Sequence, residues 1–234
     1  MNKLSYLLVT LLAVLSVDVN ALAIDRMVYI VDANGNDQIK LINNSKNKAF
    51  IRTKMSKIEV KNNELINIPL TNKNIGTWNL TLSPAKMIME PNQRKSIGIH
   101  YVCSDCRIEK DQIYKLSIAP IPYGKNGKIN ATKIAFGFAP YVIIPATEQK
   151  PSYKLYMKKS RDEIVFSNTG NTLLTAVTDV CKKERNKQCN VSYQMLPGRT
   201  RSFKLTEPMM KEEKFTFNVL NHDETYDDKV IIKR

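Results

Sequence analysis

The sequence predicts an all-β protein made of two β-sandwich domains joined by a short hinge. Three observations carry that expectation. Short runs with period-two alternation recur along the chain with turn signals between them, and no segment holds a convincing helical period. A polar stretch bracketed by prolines, Pro145-Ala146-Thr147-Glu148-Gln149-Lys150-Pro151, divides those runs into two groups.

Taken in order, the chain opens on Met1-Asn2-Lys3, an almost wholly apolar run over residues 4–17, and the small-residue site Ala21-Leu22-Ala23. This is the pattern of a cleaved export signal, and the run is too short to span a membrane. Residues 1–23 are therefore expected to be a signal peptide, with Ile24 as the mature start. No later stretch reaches membrane length, so an exported protein without membrane insertion is expected.

Residues 27–31 read as a strand, residues 32–37 as a turn with Asn34-Gly35 at its tip, and residues 38–42 as the next strand. Residues 49–60 alternate bulky apolar with basic and hydroxyl residues, which suits a strand with one wet face. Further strands are expected over 78–82, 87–89, 96–102, 113–121 and 134–144, giving about eight in the first domain, residues 24–145. After a hinge at 146–151, seven short strands are expected over 153–157, 163–167, 175–179, 190–195, 200–205, 214–220 and 229–233, in a second domain, residues 152–234. Crossing segments are too short for parallel βαβ units, which leaves sandwiches.

Composition excludes several classes. With 234 residues, 43% of them hydrophobic and 25% charged, the chain can bury two cores and is neither disordered nor a multi-span membrane protein. Its 36 Lys+Arg against 22 Asp+Glu give a net charge of +14. The densest basic groups, Lys158-Lys159-Ser160-Arg161 and Lys182-Lys183-Glu184-Arg185, lie in turns with little aromatic interleaving, and export removes the chain from cytoplasmic nucleic acid. No nucleic-acid partner is expected. The two histidines, His100 and His222, fall in different domains, and no nucleophile elbow, zinc-protease, phosphate-loop or dinucleotide motif is present, so an enzyme is the weak hypothesis.

The four cysteines form two close pairs, Cys103 with Cys106 and Cys181 with Cys189. In an exported chain two local disulfides are the simpler reading. A four-cysteine zinc site is the alternative, but the second pair is spaced too widely for a zinc knuckle, and no metal or cofactor is expected. Cys103 and Cys106 have also the spacing of a redox pair, although strand-like flanks replace the helix start that lowers a thiol pKa.

The order of these elements resembles the periplasmic chaperones of bacterial chaperone–usher pili. The likeness covers the whole mature chain: Ile39-Lys40-Leu41-Ile42-Asn43-Asn44 is similar to the family's second strand and its following Asn, and Leu82-Ser83-Pro84 leads into Met89-Glu90-Pro91-Asn92-Gln93 and the Arg94 strand. Ile113-Tyr114-Lys115-Leu116-Ser117-Ile118-Ala119-Pro120 and Phe136-Gly137-Phe138-Ala139-Pro140-Tyr141-Val142 resemble the last two strands of the family's first domain. Asn168-Thr169-Gly170-Asn171 and Leu196-Pro197-Gly198 match its second-domain turns. The texture is nearer the alternate or archaic branches than the P and type 1 systems.

That resemblance implies two immunoglobulin-like domains in a boomerang, which capture a pilin lacking its final strand and complete it with a strand of the chaperone. Handover to an outer-membrane usher follows, without ATP or metal. Ile129, Ile134, Phe136 and Phe138 are the residues expected to line the donor strand. At about 25 cal/mol per Å² of apolar surface, three such side chains contribute several kcal/mol before ordering costs. Two cations in the cleft would hold the pilin's C-terminal carboxylate, because a charge-assisted bond fixes register. Val28 stands where the family's first-strand Arg would be, which leaves Arg26, two residues earlier on the same face, and Lys133 as candidates, with Arg52 or Lys54 as other cations. A self-capping dimer through the exposed edge is a further partner mode. The alternatives are a secreted immunoglobulin-like structural or adhesive protein, and a redox enzyme using Cys103 and Cys106.

Overall fold

The structure, a computed structural model, describes residues 22–31, 35–102, 107–121, 136–181 and 188–234. Strand follows strand, and the buried residues fall into two separate clusters.

The first sandwich has one sheet in the order β1 (Leu22–Ile24), β3 (Asn36–Asn43), β8 (Arg94–Tyr101), β6 (Leu80–Ser83). The other runs β2 (Val28–Ile30), β10 (Tyr141–Ile144), β9 (Gln112–Ile121), β4 (Ala49–Lys61), β5 (Glu64–Pro69), with β7 (Lys86–Met89) paired to the start of β4. Every ladder is antiparallel except β2 with β10. Alternation builds the core. Ile51, Thr53 and Met55 of β4 turn inward while Arg52 and Lys54 stay exposed, and Tyr114, Leu116 and Ile118 of β9 pack on Tyr29, Ile39, Leu41, Ile97 and Ile99.

The second sandwich sets β11 (Tyr153–Met157), β12 (Glu163–Asn168) and β15 (Thr200–Lys204) against β14 (Asn190–Met195), β13 (Leu174–Asp179), β16 (Lys214–Leu220) and β17 (Asp227–Lys233). Ile164, Phe166, Leu174, Ala176, Phe215 and Phe217 fill its core. A single helical turn, α1 (Glu207–Met210), joins β15 to β16 behind Pro208, and Met209 is its buried residue.

Each sandwich pins a loop with a buried Asn. Asn43 donates to the carbonyls of Asn47, Met89 and Glu90, and Asn168 to those of Thr172 and Met195. Each amide thereby ties a loop to the end of a strand, Met89 of β7 in the first sandwich and Met195 of β14 in the second.

Three elements differ from expectation. The strand expected over 134–144 is broken: β10 is confined to Tyr141–Ile144, and Phe138 joins β9 by an isolated bridge to Ile118. Pro140 sits between them with no amide to donate, which interrupts the ladder. The strand β5 was not expected, because it follows β4 through the two-residue turn Asn62-Asn63, with φ of 50° and 64°, rather than through an Asn-Gly signal. The strand β1 contains Leu22 and Ala23, the last two residues of the expected signal peptide, paired with Asn43 and Ile42. The rest of that segment lies outside the described residues.

The sandwiches meet where the six-stranded sheet turns its other face. Ile58, Ile113 and Ile143 are buried, yet register places them on the side away from the first core, and Leu173 of the second sandwich is buried as well. Around this apolar contact Asn171 donates to the carbonyls of Glu109 and Glu148, and Asn221 donates to Gln149. Asn63, in the β4–β5 turn, accepts from the Thr200 amide at 2.7 Å.

Candidate functional site

One backbone edge has no strand beside it. Phe138 exchanges both of its backbone bonds with Ile118, and Leu116 donates to the Pro140 carbonyl, so even-numbered residues here point their backbone groups at β9. The odd-numbered residues, Gly137 and Ala139, therefore point theirs the other way. The strand β2 covers that side only from Val28, opposite Tyr141. Among the described residues nothing pairs with Gly137 or Ala139 along this edge, and an uncovered edge invites another chain.

The side chains fit that use. Phe136 is 78% exposed, an unusual state for an aromatic in a folded domain, while Phe138 is half-buried on the same face. Gly137 permits the close approach to β9, since a Cβ there would stand 2.6 Å from the Ile118 carbonyl oxygen. Of the other expected donor residues, Ile129 and Ile134 lie outside the described residues.

Where β2 takes over the edge, a cavity of about 180 Å³ opens between the sandwiches. Val28 and Tyr141, register partners, line one side with Leu65, and Leu173, Arg199 and Arg201 line the other. Among the described residues no Asp or Glu lines it. The Arg201 guanidinium lies 5.2 Å from the Phe203 ring centre, and neither arginine makes an ion pair among the described residues. An apolar pocket with two cations and no acid is a site for an anion carried on an apolar chain.

Arg26 is held elsewhere. Its guanidinium donates to Asp37 at 3.0 Å, reaches Asp25 at 3.5 Å and stacks over Tyr29 at 4.5 Å. The Tyr29 hydroxyl donates to Asp25 at 2.5 Å. Burial, reinforced by that bond, raises the Tyr29 pKa; for Asp25, burial raises the pKa but the bonds from Tyr29 and the Lys40 amide outweigh it, and the carboxyl is held below its usual range. Lys133, the other anchoring candidate, lies outside the described residues.

Comparison with known proteins places this geometry. The family model described as the CS5 fimbrial protein N-terminal domain matches residues 24–145. The chain belongs to this CS5 fimbrial family. An Escherichia coli protein described as "Uncharacterized 25.9 kDa protein in CS5 3'region" is 26% identical over 174 residues, 73% of this chain and 75% of its own. The crystal structure of the class 5 fimbriae chaperone CfaA superposes with a TM-score of 0.57 at 13% identity, covering 90% of this chain and 97% of that one. The SafB chaperone of Salmonella enterica, solved in complex with the SafA pilin, superposes with a TM-score of 0.58 at 11% identity, covering 94% and 99%. The CS5-family chain thus has the two-sandwich fold of the fimbrial chaperones.

Within this CS5-family fold Cys181 and Cys189 are disulfide-bonded, with Cα atoms 4.8 Å apart, across the start of β14. Cys103 and Cys106 lie outside the described residues. His100 is exposed on β8 with its Nδ1 2.8 Å from the Asn36 side-chain oxygen, and His222, in the β16–β17 loop, meets Gln149 of the hinge segment at 2.9 Å. Reading the sequence missed Arg199 and Arg201. Their signal was Gly198-Arg199-Thr200-Arg201, two cations on one face of a strand leaving a tight turn, and it is less dense than the basic runs at 158–161 and 182–185.

Proposed function

We propose that the protein is a periplasmic chaperone that captures fimbrial subunits by donating the strand around residues 136–139 and passes them to an outer-membrane usher. The observation that carries this reading is the uncovered Gly137–Ala139 backbone edge with Phe136 exposed beside it. A subunit lacking one strand offers the complement, an apolar groove with unpaired backbone groups. Capture of this kind needs no reaction at a side chain; the role is holding, not catalysis.

Several finer points belong to the same reading. The chain divides into a first domain over 24–145, a hinge over 146–151 and a second domain over 152–234, and reaches the periplasm through removal of residues 1–23. Ile129 and Ile134 extend the donor strand upstream of Phe136 and Phe138. The subunit's terminal carboxylate, arriving along this edge where β2 begins, meets the cleft. Arg26 serves it only by exchanging Asp37 for the newcomer, and Lys133 enters from the segment before Phe136, whereas Arg199 and Arg201 already face the cavity without an acid.

The test is co-expression in the periplasm with the subunit encoded beside it, and purification through a tag on this chain. A stoichiometric complex from the wild type, lost when Phe136 and Phe138 become Asp, supports strand donation. Recovery of the chain alone, with the subunit soluble and stable without it, ends the chaperone reading in favour of an adhesive immunoglobulin-like protein.

A further inference from the structure

Four cations form a stripe on the face of the six-stranded sheet turned away from its core. Register fixes their places: Arg52 on β4 is opposite Lys86 on β7, Lys54 lies two residues along β4, and Lys115 on β9 is opposite Ser56, two residues further. Same-face neighbours along a strand are about 7 Å apart and adjacent strands about 4.8 Å apart, so the four Cα positions span about 17 Å.

Their setting separates them from the rest of a basic surface. No Asp or Glu occupies this face of β4, β7 or β9. None of the four makes an ion pair among the described residues, which is true of Arg199 and Arg201 as well; what is particular to these four is that they share one sheet face that carries no carboxylate on β4, β7 or β9. Like charges directly opposite, as Arg52 and Lys86 are, disfavour the sheet that carries them. Ile88, next on β7, is 54% exposed on the same face. The stripe also has a defined neighbour, because β9 separates β4 from Phe138 and the uncovered edge.

We infer that this stripe is a docking surface for an extended acidic segment of the fimbrial subunit held at the neighbouring edge. The inference rests on the strand-donation reading above. An extended chain repeats its side chains on one face every two residues, about 7 Å, which is the spacing from Arg52 to Lys54. Carboxylates at alternate positions of such a segment meet the cations in turn, and Ile88 receives an apolar side chain at its end. A one-sign surface of this kind speeds association and makes it sensitive to salt.

The experiment measures the rate at which the full chain takes up the denatured subunit on dilution, at low and at high salt. Wild type is compared with Arg52→Glu/Lys86→Glu, with Lys54→Glu/Lys115→Glu, and with Arg52→Gln/Lys54→Gln in case the reversals fold poorly. Expected is a fall in capture rate of about tenfold for each reversal, with loss of most of the salt dependence, while the neutral pair falls less. Phe136→Asp, which removes the edge contact, should abolish the complex at every salt concentration. Reversal and neutral variants that fold and capture at the wild-type rate with wild-type salt dependence overturn the stripe but leave strand donation standing. A wild type that takes up no subunit overturns both. Binding of a 20-nucleotide DNA as tightly as the subunit, lost in the same variants, makes the stripe a general polyanion site and overturns its assignment to the subunit.

Discussion

The Leu173 amide, in the second sandwich, donates a 2.7 Å hydrogen bond to the carboxylate of Asp111, in the first. The same carboxylate accepts from the Ala146 amide of the hinge at 2.8 Å and from the Thr172 hydroxyl at 3.2 Å. One buried acid therefore ties both sandwiches and the hinge together. The cleft that Arg199 and Val28 line is held at its width by this knot and by the Ile58, Ile113 and Ile143 contact.

Replacing Asp111 by Ala leaves the Ala146 and Leu173 amides without a partner, while the Thr172 hydroxyl keeps Gln149, at a cost of about 2–3 kcal/mol. Chemical denaturation should show it as a loss of stability and, if the sandwiches separate first, as a second transition. Burial pushes the Asp111 pKa up, and the bonds from Ala146, Leu173 and Thr172 and the nearby His222 offset only part of that rise. The raised folded value fixes the sign: the native state favours the protonated acid. Asp111's contribution is fullest below its ordinary value of 3.8 and declines as pH rises through its folded value. The wild-type advantage over Asp111→Ala should therefore be larger in acid than at neutral pH, and an advantage that grows from acid to neutral would contradict the burial argument.

Phe136→Asp separates binding from folding. The side chain is 78% exposed, so its removal should change stability by less than about 0.5 kcal/mol. Subunit capture should nevertheless be lost, because a carboxylate then has to enter an apolar groove. Thermal unfolding of the free protein and co-purification of the subunit check the two halves, and a variant that keeps its partner removes this residue from the donor face.

How much of this was legible in the sequence follows from the range of the signals. Strands such as β11, β14 and β16 coincide with their expected ranges because alternation and turn residues are local properties. The strand β5 escaped because Glu64 to Pro69 is exposed at nearly every position, so it has no alternation to read. The aromatic pair beside the uncovered edge, Phe136 and Phe138, was legible from its spacing, but the break at Pro140 was not. The cleft was the least legible part. Arg199 comes within reach of Val28 only through the relative placement of two sandwiches, fixed by Asp111, Asn171 and the hinge, and no local pattern records a contact between residues so far apart in the chain.

Arg199→Gln with Arg201→Gln tests the cleft cations. Neither guanidinium has an ion-pair partner to lose among the described residues, and the Arg201 contact with the Phe203 ring is worth about 0.5–1 kcal/mol, so the melting temperature should fall by no more than about 2–4 °C. Loss of charge-assisted bonds worth about 1.5–3 kcal/mol corresponds to a weakening of the subunit complex by about ten- to a hundredfold. A subunit whose last residue is amidated should show the same weakening with the wild type and no further loss with the variant. Equal affinity of wild type and variant would return the anchoring role to Arg26 or Lys133.

Asn63 offers a last, purely structural test, since it carries two loads that substitution can separate. Its φ of 64° lies where L side chains are strained and Asn and Gly are tolerated, and its side chain accepts the Thr200 amide from the second sandwich. Asn63→Gly keeps the turn and removes only the bond, costing about 1 kcal/mol. Asn63→Ala loses the bond and adds the left-handed penalty, for a total of about 2 kcal/mol or more. Urea denaturation should rank the proteins wild type, then Gly, then Ala. If Ala equals Gly, backbone strain at the turn is negligible; if Gly equals wild type, the Thr200 bond contributes nothing and the β4–β5 turn does not help to set the angle of the second sandwich.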